Sequence, residues 1–425
     1  MVIQMKRRIK MSNELTNGLS LRDVALEMHI LQEHGTACLN RDDSNTPKTT
    51  MLGGKQRSRI SKQRGARDQR RWIITNKKFG KDYRSCNLPS IIKDKLIKEG
   101  KPLEDSSFAA ELAFGCLGVS GEKEDSTNVM LFMSEFELDA IKDSLLSKWN
   151  EIIPAIKAME EKAKAVKTEV KDIKEEKVEK NKKTKDKTKE FIDEVIKTSK
   201  LRVALEDAIA QAKRTPCIAG SGRMVASSKN MNIDGAVHGP VIISVNECEI
   251  EDDFWTAIDD LPTGDGGAAN MGHAGAVSPC YYKFQVAHLG IFLDTLKSSE
   301  LSIQAALASL EAFIKANSTA KISTFANYEK PQYVRVIVRK GNPDEFVDGA
   351  PRSFVNAFSL PAKPTEDKDM IEVSIGKIKD LEKRLDKMHG DSKVFDFEVS
   401  TKDENTKSIG DLLRGTQAFL NGLKK

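Results

Sequence analysis

Ten Lys or Arg residues lie between Arg41 and Arg71, against three Asp. Cations at this density favour a polyanionic partner, because Arg forks onto phosphate oxygens and Lys acts as a point charge. Phosphate contacts carry no base information, so such a block suits a nucleic acid of any sequence. The alternative is an ordinary solvated surface. The candidate phosphate ligands are Arg41, Lys48, Lys55, Arg57, Arg59, Arg64 and Arg67.

Four uncharged residues inside the block are further candidates for contact with a nucleic acid. Gly53-Gly54 lets a backbone approach a ligand closely, or makes an ordinary turn. Ser61 and Gln63 are candidate donors to phosphate or 2′-OH groups of RNA. Ser61 equally fits the N-cap of a helix that begins there.

Two pairs of carboxylates invite a catalytic interpretation. Asp42 and Asp43 adjoin Arg41, and an ion pair that braces the loop is the alternative to a phosphate contact there. Asp259 and Asp260 have the ligand type of a Mg²⁺ site, but no His or third carboxylate stands at suitable spacing, which favours a polar turn. The six Cys and six His are isolated from one another. We therefore expect no metal, no cofactor and no catalytic set.

The composition is that of a large, charged globular chain. Its 425 residues are 39% hydrophobic and 31% charged, with a net charge of +5, and this length corresponds to two or three domains. The scattered cysteines fit a reducing compartment, and no apolar run is long enough to span a membrane. These features predict a cytoplasmic protein without membrane contact.

Hydrophobic periodicity predicts mixed helices and strands. A protruding hairpin is expected over 240–285, where two apolar strands flank a Gly-rich tip. The pattern is that of an α+β fold with a ferredoxin-like, RRM-type core carrying insertions. In chain order we expect a strand at 26–32, an irregular loop at 38–59, a helix from 61, helices over 155–215 with a Lys/Glu-rich arm at 160–200, a helix at 302–316, strands at 321–328 and 333–340, and helices in the tail.

Several motifs recur in an order that resembles one protein family. They are CLNRDD and GGK followed by IS-x-Q and a basic helix, then SGRM and DGA, FWTAIDDL, TFANYEKP and NAF, between His34 and Phe358. In this order they are similar to the CasC-type backbone subunit of Cascade, the type I-E CRISPR complex of the RAMP superfamily. The sequence departs from that pattern at Ala66, where a lysine is common.

The resemblance implies a right-hand shape with an RRM-like palm, helical fingers and a thumb hairpin. The segment Ser221, Gly222, Arg223 and Met224 would then line the guide, with Met224 against a base; the alternative is a core methionine. Trp255, beside Thr256, would stack on a base, and Phe254 would be the residue that packs into the thumb; the alternative is that Trp255 forms the small core of the hairpin. The implied boundaries are 1–20 for a leader, 21–85 and 217–360 for the palm, 86–216 for the fingers and 361–425 for a charged tail with helices.

The implied function is structural: a non-catalytic subunit that polymerises along crRNA and presents it for pairing with target DNA. Its partners would be crRNA, target DNA, further copies of itself and other Cascade subunits. Two alternatives stand beside it. One is a type III-like backbone subunit that cleaves target RNA with Asp42 or Asp43, and the other is a stand-alone RRM-like regulator.

Overall fold

The computed structural model describes residues 18–119, 121, 125–169, 191–261, 268–340 and 351–424. Most of the expected leader, the middle of the Lys/Glu-rich arm (170–190) and the glycines of the hairpin tip (262–267) lie outside these residues. The chain divides into two compact units, one of residues 1–77 and 236–425 and one of residues 78–235.

The first unit holds the sheet. Its elements are β1 (Val24–Glu33), β2 (Thr49–Leu52), β3 (Lys55–Ser58), α1 (Lys62–Asn76), β6 (Val237–Ser244), β7 (Glu251–Ile258), β8 (Ala268–Ala276), β9 (Cys280–His288), α9 (Leu289–Leu296), α10 (Ser299–Lys315), α11 (Ile322–Phe325), β10 (Tyr333–Lys340), α12 (Met370–His389), β11 (Lys393–Ser400) and α13 (Ile409–Asn421).

The second unit is mainly helical. Its elements are β4 (Asp82–Ser85), α2 (Leu88–Lys98), α3 (Leu103–Cys116), β5 (Leu131–Ser134), α4 (Glu135–Ser147), α5 (Trp149–Glu169), α6 (191–199), α7 (Leu201–Gln211) and α8 (Pro216–Ser221). One apolar cluster joins α2, α3, α4, α5 and α7 around buried Leu and Ile side chains. The helices expected over 155–215 are confirmed within the described residues.

The main sheet has the order β11-β10-β1-β9-β6, and every neighbouring pair is antiparallel. Without β11, the succession β1, α1, β6, β9, α10, β10 gives the order 4-1-3-2 of a ferredoxin-like fold. The α+β, RRM-like palm is therefore confirmed, with the helical unit inserted between α1 and β6 and the hairpin β7–β8 inserted between β6 and β9.

Both faces of this sheet are covered, which explains the nearly continuous burial of β1. On one face α1 approaches the sheet closely at Gly65, where an added Cβ would lie 2.6 Å from Pro240 Cγ. On the other face α12 packs with the turn Val355–Phe358 over Tyr282 and Tyr333. A buried ion pair of 2.7 Å between Glu27 and Arg339 lies on that face too.

One expectation about local structure is wrong and two are incomplete. The segment 321–328 forms the one-turn helix α11 instead of a strand, because Lys321 and Ala326 on either side both have left-handed φ. The loop expected over 38–59 contains the hairpin β2–β3. The tail contributes a strand as well as helices, since β11 pairs with β10.

Among the described residues, no helix combines the length and apolar character that crossing a membrane requires.

Candidate nucleic-acid interface

The basic block folds into a small hairpin followed by a helix. Leu52 pairs with Lys55, so Gly53 and Gly54 form a two-residue turn with φ of +60° and +74°. Both positions of a type I′ turn need positive φ, which glycine adopts without strain. At Gly53 an added Cβ would lie 1.8 Å from the carbonyl oxygen of Ser359, so the close backbone approach is to the protein's own chain.

Asn40 positions the start of α1. Its side-chain oxygen accepts the Ser61 amide at 2.8 Å, and its carbonyl accepts the Lys48 amide at 2.8 Å. The Ser61 hydroxyl accepts the Arg64 amide at 3.3 Å, so Ser61 serves as the N-cap. Asn40 belongs to the CLNRDD motif, yet the sequence analysis did not select it as a site residue.

Three of the predicted cations are accessible and uncommitted. Arg59 and Arg67 are exposed and Lys48 is half-buried, and none has an ion pair within the part of the chain that the structure describes. Gln63 is exposed on α1, one turn before Arg67. These side chains are free to contact phosphates.

Three other predicted cations already have partners. Arg41 donates to the side chain of Asn45 at 2.5 Å. Lys55 pairs with Glu247 at 3.0 Å. Arg64 pairs with Asp68 at 2.8 Å, although burial raises the pKa of Asp68. Phosphate binding by these three side chains would first have to break these contacts.

Arg57 is a correction to the predicted site. It is fully buried, and its guanidinium donates to the carbonyl oxygens of Val245 and Phe358, each at 2.8 Å, with a longer bond of 3.3 Å to Ser244. Burial lowers the pKa of Arg57. The side chain therefore holds the β2–β3 hairpin to the palm and does not reach a phosphate.

We expect Arg57→Ala to destabilise the fold by about 2–4 kcal/mol, since it leaves carbonyls buried without donors. The matched control Arg59→Ala removes an exposed cation and should cost less than about 0.5 kcal/mol. Denaturant titration of both variants measures the difference. An Arg57→Ala protein as stable as the control, but deficient in RNA binding, would contradict this structural role.

The sheet face that RRM domains use for RNA is not available in the palm. RRM domains stack bases on aromatic side chains of the sheet. Here the rings of His29, Tyr282 and Phe284 lie on that face, but Phe354 stacks on His29 with ring centroids 4.8 Å apart, and α12 covers the region.

The hairpin β7–β8 begins beside the basic loop. The Cys248 amide donates to the Gln56 carbonyl at 2.9 Å, and an added Cβ at Gly275 would lie 2.7 Å from Pro47 Cδ. Every residue of β7 is exposed. The predicted hairpin over 240–285 thus consists of β6 and β9 in the sheet, with β7 and β8 as a separate two-stranded projection.

Trp255 lies across the hairpin on Gly272, where an added Cβ would meet the indole at 2.8 Å. Trp255 remains 43% exposed, so it packs on its own hairpin and still presents a ring surface. Phe254 is 54% exposed, which contradicts the expectation that it packs inside. Thr256 is exposed as well, opposite Met271.

The segment 221–224 belongs to the helical unit. Ser221 is exposed at the end of α8, and Gly222 follows with φ of +72°, packed against Gly235 of the DGA motif. Arg223 is buried and does not line a surface. Its guanidinium donates to the carbonyls of Met231 and Phe132 and pairs with Glu137 at 2.9 Å.

Met224 follows the buried Arg223 and is 87% exposed. The expected surface position of Met224 is confirmed and the alternative of a core methionine is wrong, whereas its contact with a base stays a prediction. Burial of Arg223 corrects its assignment as an RNA ligand: it holds the segment that presents Met224.

Asp42 and Asp259, considered above as catalytic or metal-binding candidates, accept backbone hydrogen bonds in turns. Asp42 Oδ1 accepts the amides of Ser44 and Thr46 at 3.0 and 2.9 Å, and Asp259 Oδ1 accepts the Leu261 amide at 2.9 Å. Across the described ranges, no three His, Cys, Asp or Glu side chains come together in a way that could hold a metal ion.

The sequence matches the model of the CT1975-like protein family over residues 26–424. The chain belongs to the CT1975-like family. No curated protein matches it at the level of sequence.

Solved structures share the fold of this CT1975-like protein. One is a subunit described as "CRISPR RNA-guided surveillance complex, pre-nicking", at 19% identity and a TM-score of 0.67. Another, described as "CRISPR RNA-guided surveillance complex", has 16% identity and a TM-score of 0.61. Each alignment covers 93% of this chain and 99% of the other, so the similarity extends over both units.

Proposed function

We propose that this CT1975-like protein is the CasC-type backbone subunit of a type I-E CRISPR surveillance complex. In this proposal it binds crRNA without catalysis, polymerises along it in the cytoplasm with the other Cascade subunits, and presents the guide to target DNA. The whole-length similarity to subunits of RNA-guided surveillance complexes supports the proposal. At this identity the similarity shows a shared fold, so the function rests on the site as well.

One observation carries the proposal. The accessible, uncommitted cations Lys48, Arg59 and Arg67 belong to a loop and helix beside the root of the β7–β8 hairpin, while the RRM-type sheet face is covered. Cations without neighbouring base-reading groups bind the backbone and ignore the sequence. A projecting hairpin beside them is suited to reach past the RNA to a second copy.

The cleavage alternative has less support. Asp42 Oδ1 already accepts hydrogen bonds from two backbone amides. These bonds stabilise the turn and occupy the oxygen that would otherwise bind a metal ion. Asp43 is exposed in the same turn. A subunit that only presents the guide needs neither carboxylate.

The test is to mix the purified chain with labelled single-stranded RNAs of unrelated sequence, with and without Mg²⁺. We expect affinities that agree within about threefold, because phosphates carry the contact, and intact RNA in every mixture. Strong preference for one sequence would support a stand-alone regulator. Mg²⁺-dependent cleavage that Asp42→Asn abolishes would support the type III-like alternative.

A further inference from the structure

Among the described residues, no element covers strand β7 of the two-stranded β7–β8 hairpin, whereas Ala274 and Ala276 near its root are buried. All of β7 is exposed, with Trp255 on one face and Phe254 on the other; Ile258 is exposed too, and exposed Met271 of β8, opposite Thr256, shares the Phe254 face. An isolated two-stranded hairpin is marginally stable in water. Apolar side chains on an uncovered sheet therefore indicate a surface that another molecule covers.

The charge of the hairpin restricts what that molecule is. Residues 246–282 contain no Lys or Arg, but they contain Glu247, Glu249, Glu251, Asp252, Asp253, Asp259, Asp260 and Asp265. A segment so acidic repels phosphates and attracts cations. Its strongest complement is a basic protein surface.

The two faces of β7 differ. Glu251, Asp253 and Trp255 alternate along the strand, so they share one face. Neither Glu251 nor Asp253 has an ion pair in the part of the chain that the structure describes. On the opposite face Asp252 already pairs with His273 at 2.6 Å. The Trp255 face thus combines free carboxylates with an accessible indole.

Helix α1 offers the complementary surface. Arg67 and Arg71 are one turn apart on its exposed side, in line with Gln63, and neither has an ion pair among the described residues. The 15 residues of α1 hold five cations and one carboxylate, Asp68, which pairs with Arg64. Arginine both pairs with carboxylates and stacks on indole rings, so this stripe matches both features of the Trp255 face.

Helix α12 is the rival surface within the same unit. Its exposed cations are Lys379, Lys383, Arg384 and Lys387, and Lys379 already pairs with Glu398 at 2.9 Å. The helix also holds the carboxylates Glu372, Asp380, Glu382 and Asp386, which leaves it nearly neutral. Charge complementarity therefore selects α1 over α12.

We propose that the Trp255 face of the hairpin docks on the Arg67–Arg71 stripe of α1 in a second copy of this chain, and that this contact joins copies that carry no RNA. Among the described residues of one copy, neither Glu251 nor Asp253 contacts a cation, which favours docking between copies. Guide RNA competes for the same arginines and displaces the hairpin. This displacement step rests on the proposed function, whereas the docking step does not.

Charge reversal tests the docking in protein freed of nucleic acid. One chain carries Glu251→Lys and Asp253→Lys; another carries Arg67→Glu and Arg71→Glu. We expect each alone to self-associate about tenfold or more weakly than the unmodified chain, and an equimolar mixture to recover association, because each reversed surface then meets its complement. Sedimentation at low ionic strength measures both. All four positions are exposed, so thermal melting should show unchanged folding.

The matched control reverses Lys383 and Arg384 on α12 to Glu and should leave association unchanged. Loss of association in this control, or an unmodified chain that stays monomeric at low salt, would overturn the docking. So would failure of the mixture to associate. RNA affinity of the unmodified chain is measured separately with an RNA too short for two copies: an unmodified chain that self-associates but does not bind RNA would refute the proposed function and leave the docking standing.

Discussion

Replacing Lys48, Arg59 and Arg67 together with Ala should weaken single-stranded RNA binding about a hundredfold near 0.1 M salt. Each phosphate contact on a single strand contributes roughly 0.7 to the slope of log K against log salt, so three contacts contribute about 2. The loss should be equal for unrelated RNA sequences, because phosphates carry no base identity. Titrations of several RNAs over a range of salt concentrations measure both the affinity and the slope.

The matched control removes Lys383, Arg384 and Lys387, three exposed cations of α12. Its slope should stay close to that of the unmodified chain, even though the change in net charge is identical. An affinity loss confined to particular RNA sequences would mean that the basic block contacts bases. An equal loss in both triple variants would mean that only net charge matters.

Replacing residues 252–275 with a short Gly-Ser linker should abolish long assemblies while leaving RNA binding by single copies. Glu251 pairs with Ala276 at the hairpin root, so a linker can close the chain there. The exposure of β7 means that the deletion opens no core, and the stability of the sheet unit should change little. Sedimentation on a long RNA measures the size of the assembly.

Trp255→Ala is the milder companion variant. It removes one aromatic side chain from the hairpin but retains the strands, so assemblies should shorten without disappearing. Assemblies of normal length in the deletion variant would refute the role of the hairpin in joining copies.

The sequence predicted most of the fold because the core strands are mainly apolar. Val24–Glu33 and Tyr333–Lys340 are covered on both faces, and even their polar members Glu27 and Arg339 are buried, in an ion pair with each other. β11 was missed although Phe395, Phe397 and Val399 alternate. The intervening Asp396 and Glu398 resembled a solvated tail, and in the fold Asp396 pairs with Arg335 at 2.6 Å.

The site was predicted less completely, since residue type does not reveal burial. Arg57 and Arg59 are two positions apart in the chain. Arg57 is nevertheless buried against backbone carbonyls, whereas Arg59 is exposed. The same holds for Arg223 beside Met224. Only long-range neighbours such as Val245, Phe358 and Glu137 decide these outcomes, and a single sequence does not contain their positions.

Three cations, Lys62, Arg70 and Arg71, were counted in the basic block but not chosen as site residues. Lys62 and Arg71 are exposed on α1, and Arg71 continues the stripe that begins at Gln63. The available signal was helical spacing, because positions four apart in a helix share a face. Counted from Gln63, this spacing selects Arg67 and Arg71.

The most direct test of the proposed function counts copies of the chain on RNAs of increasing length. Mass measurement of each complex gives the number of copies bound. A subunit that polymerises along a guide should add one copy for each fixed increment of nucleotides, because identical head-to-tail contacts repeat without closing. A number of copies that stays constant as the RNA lengthens would contradict the account.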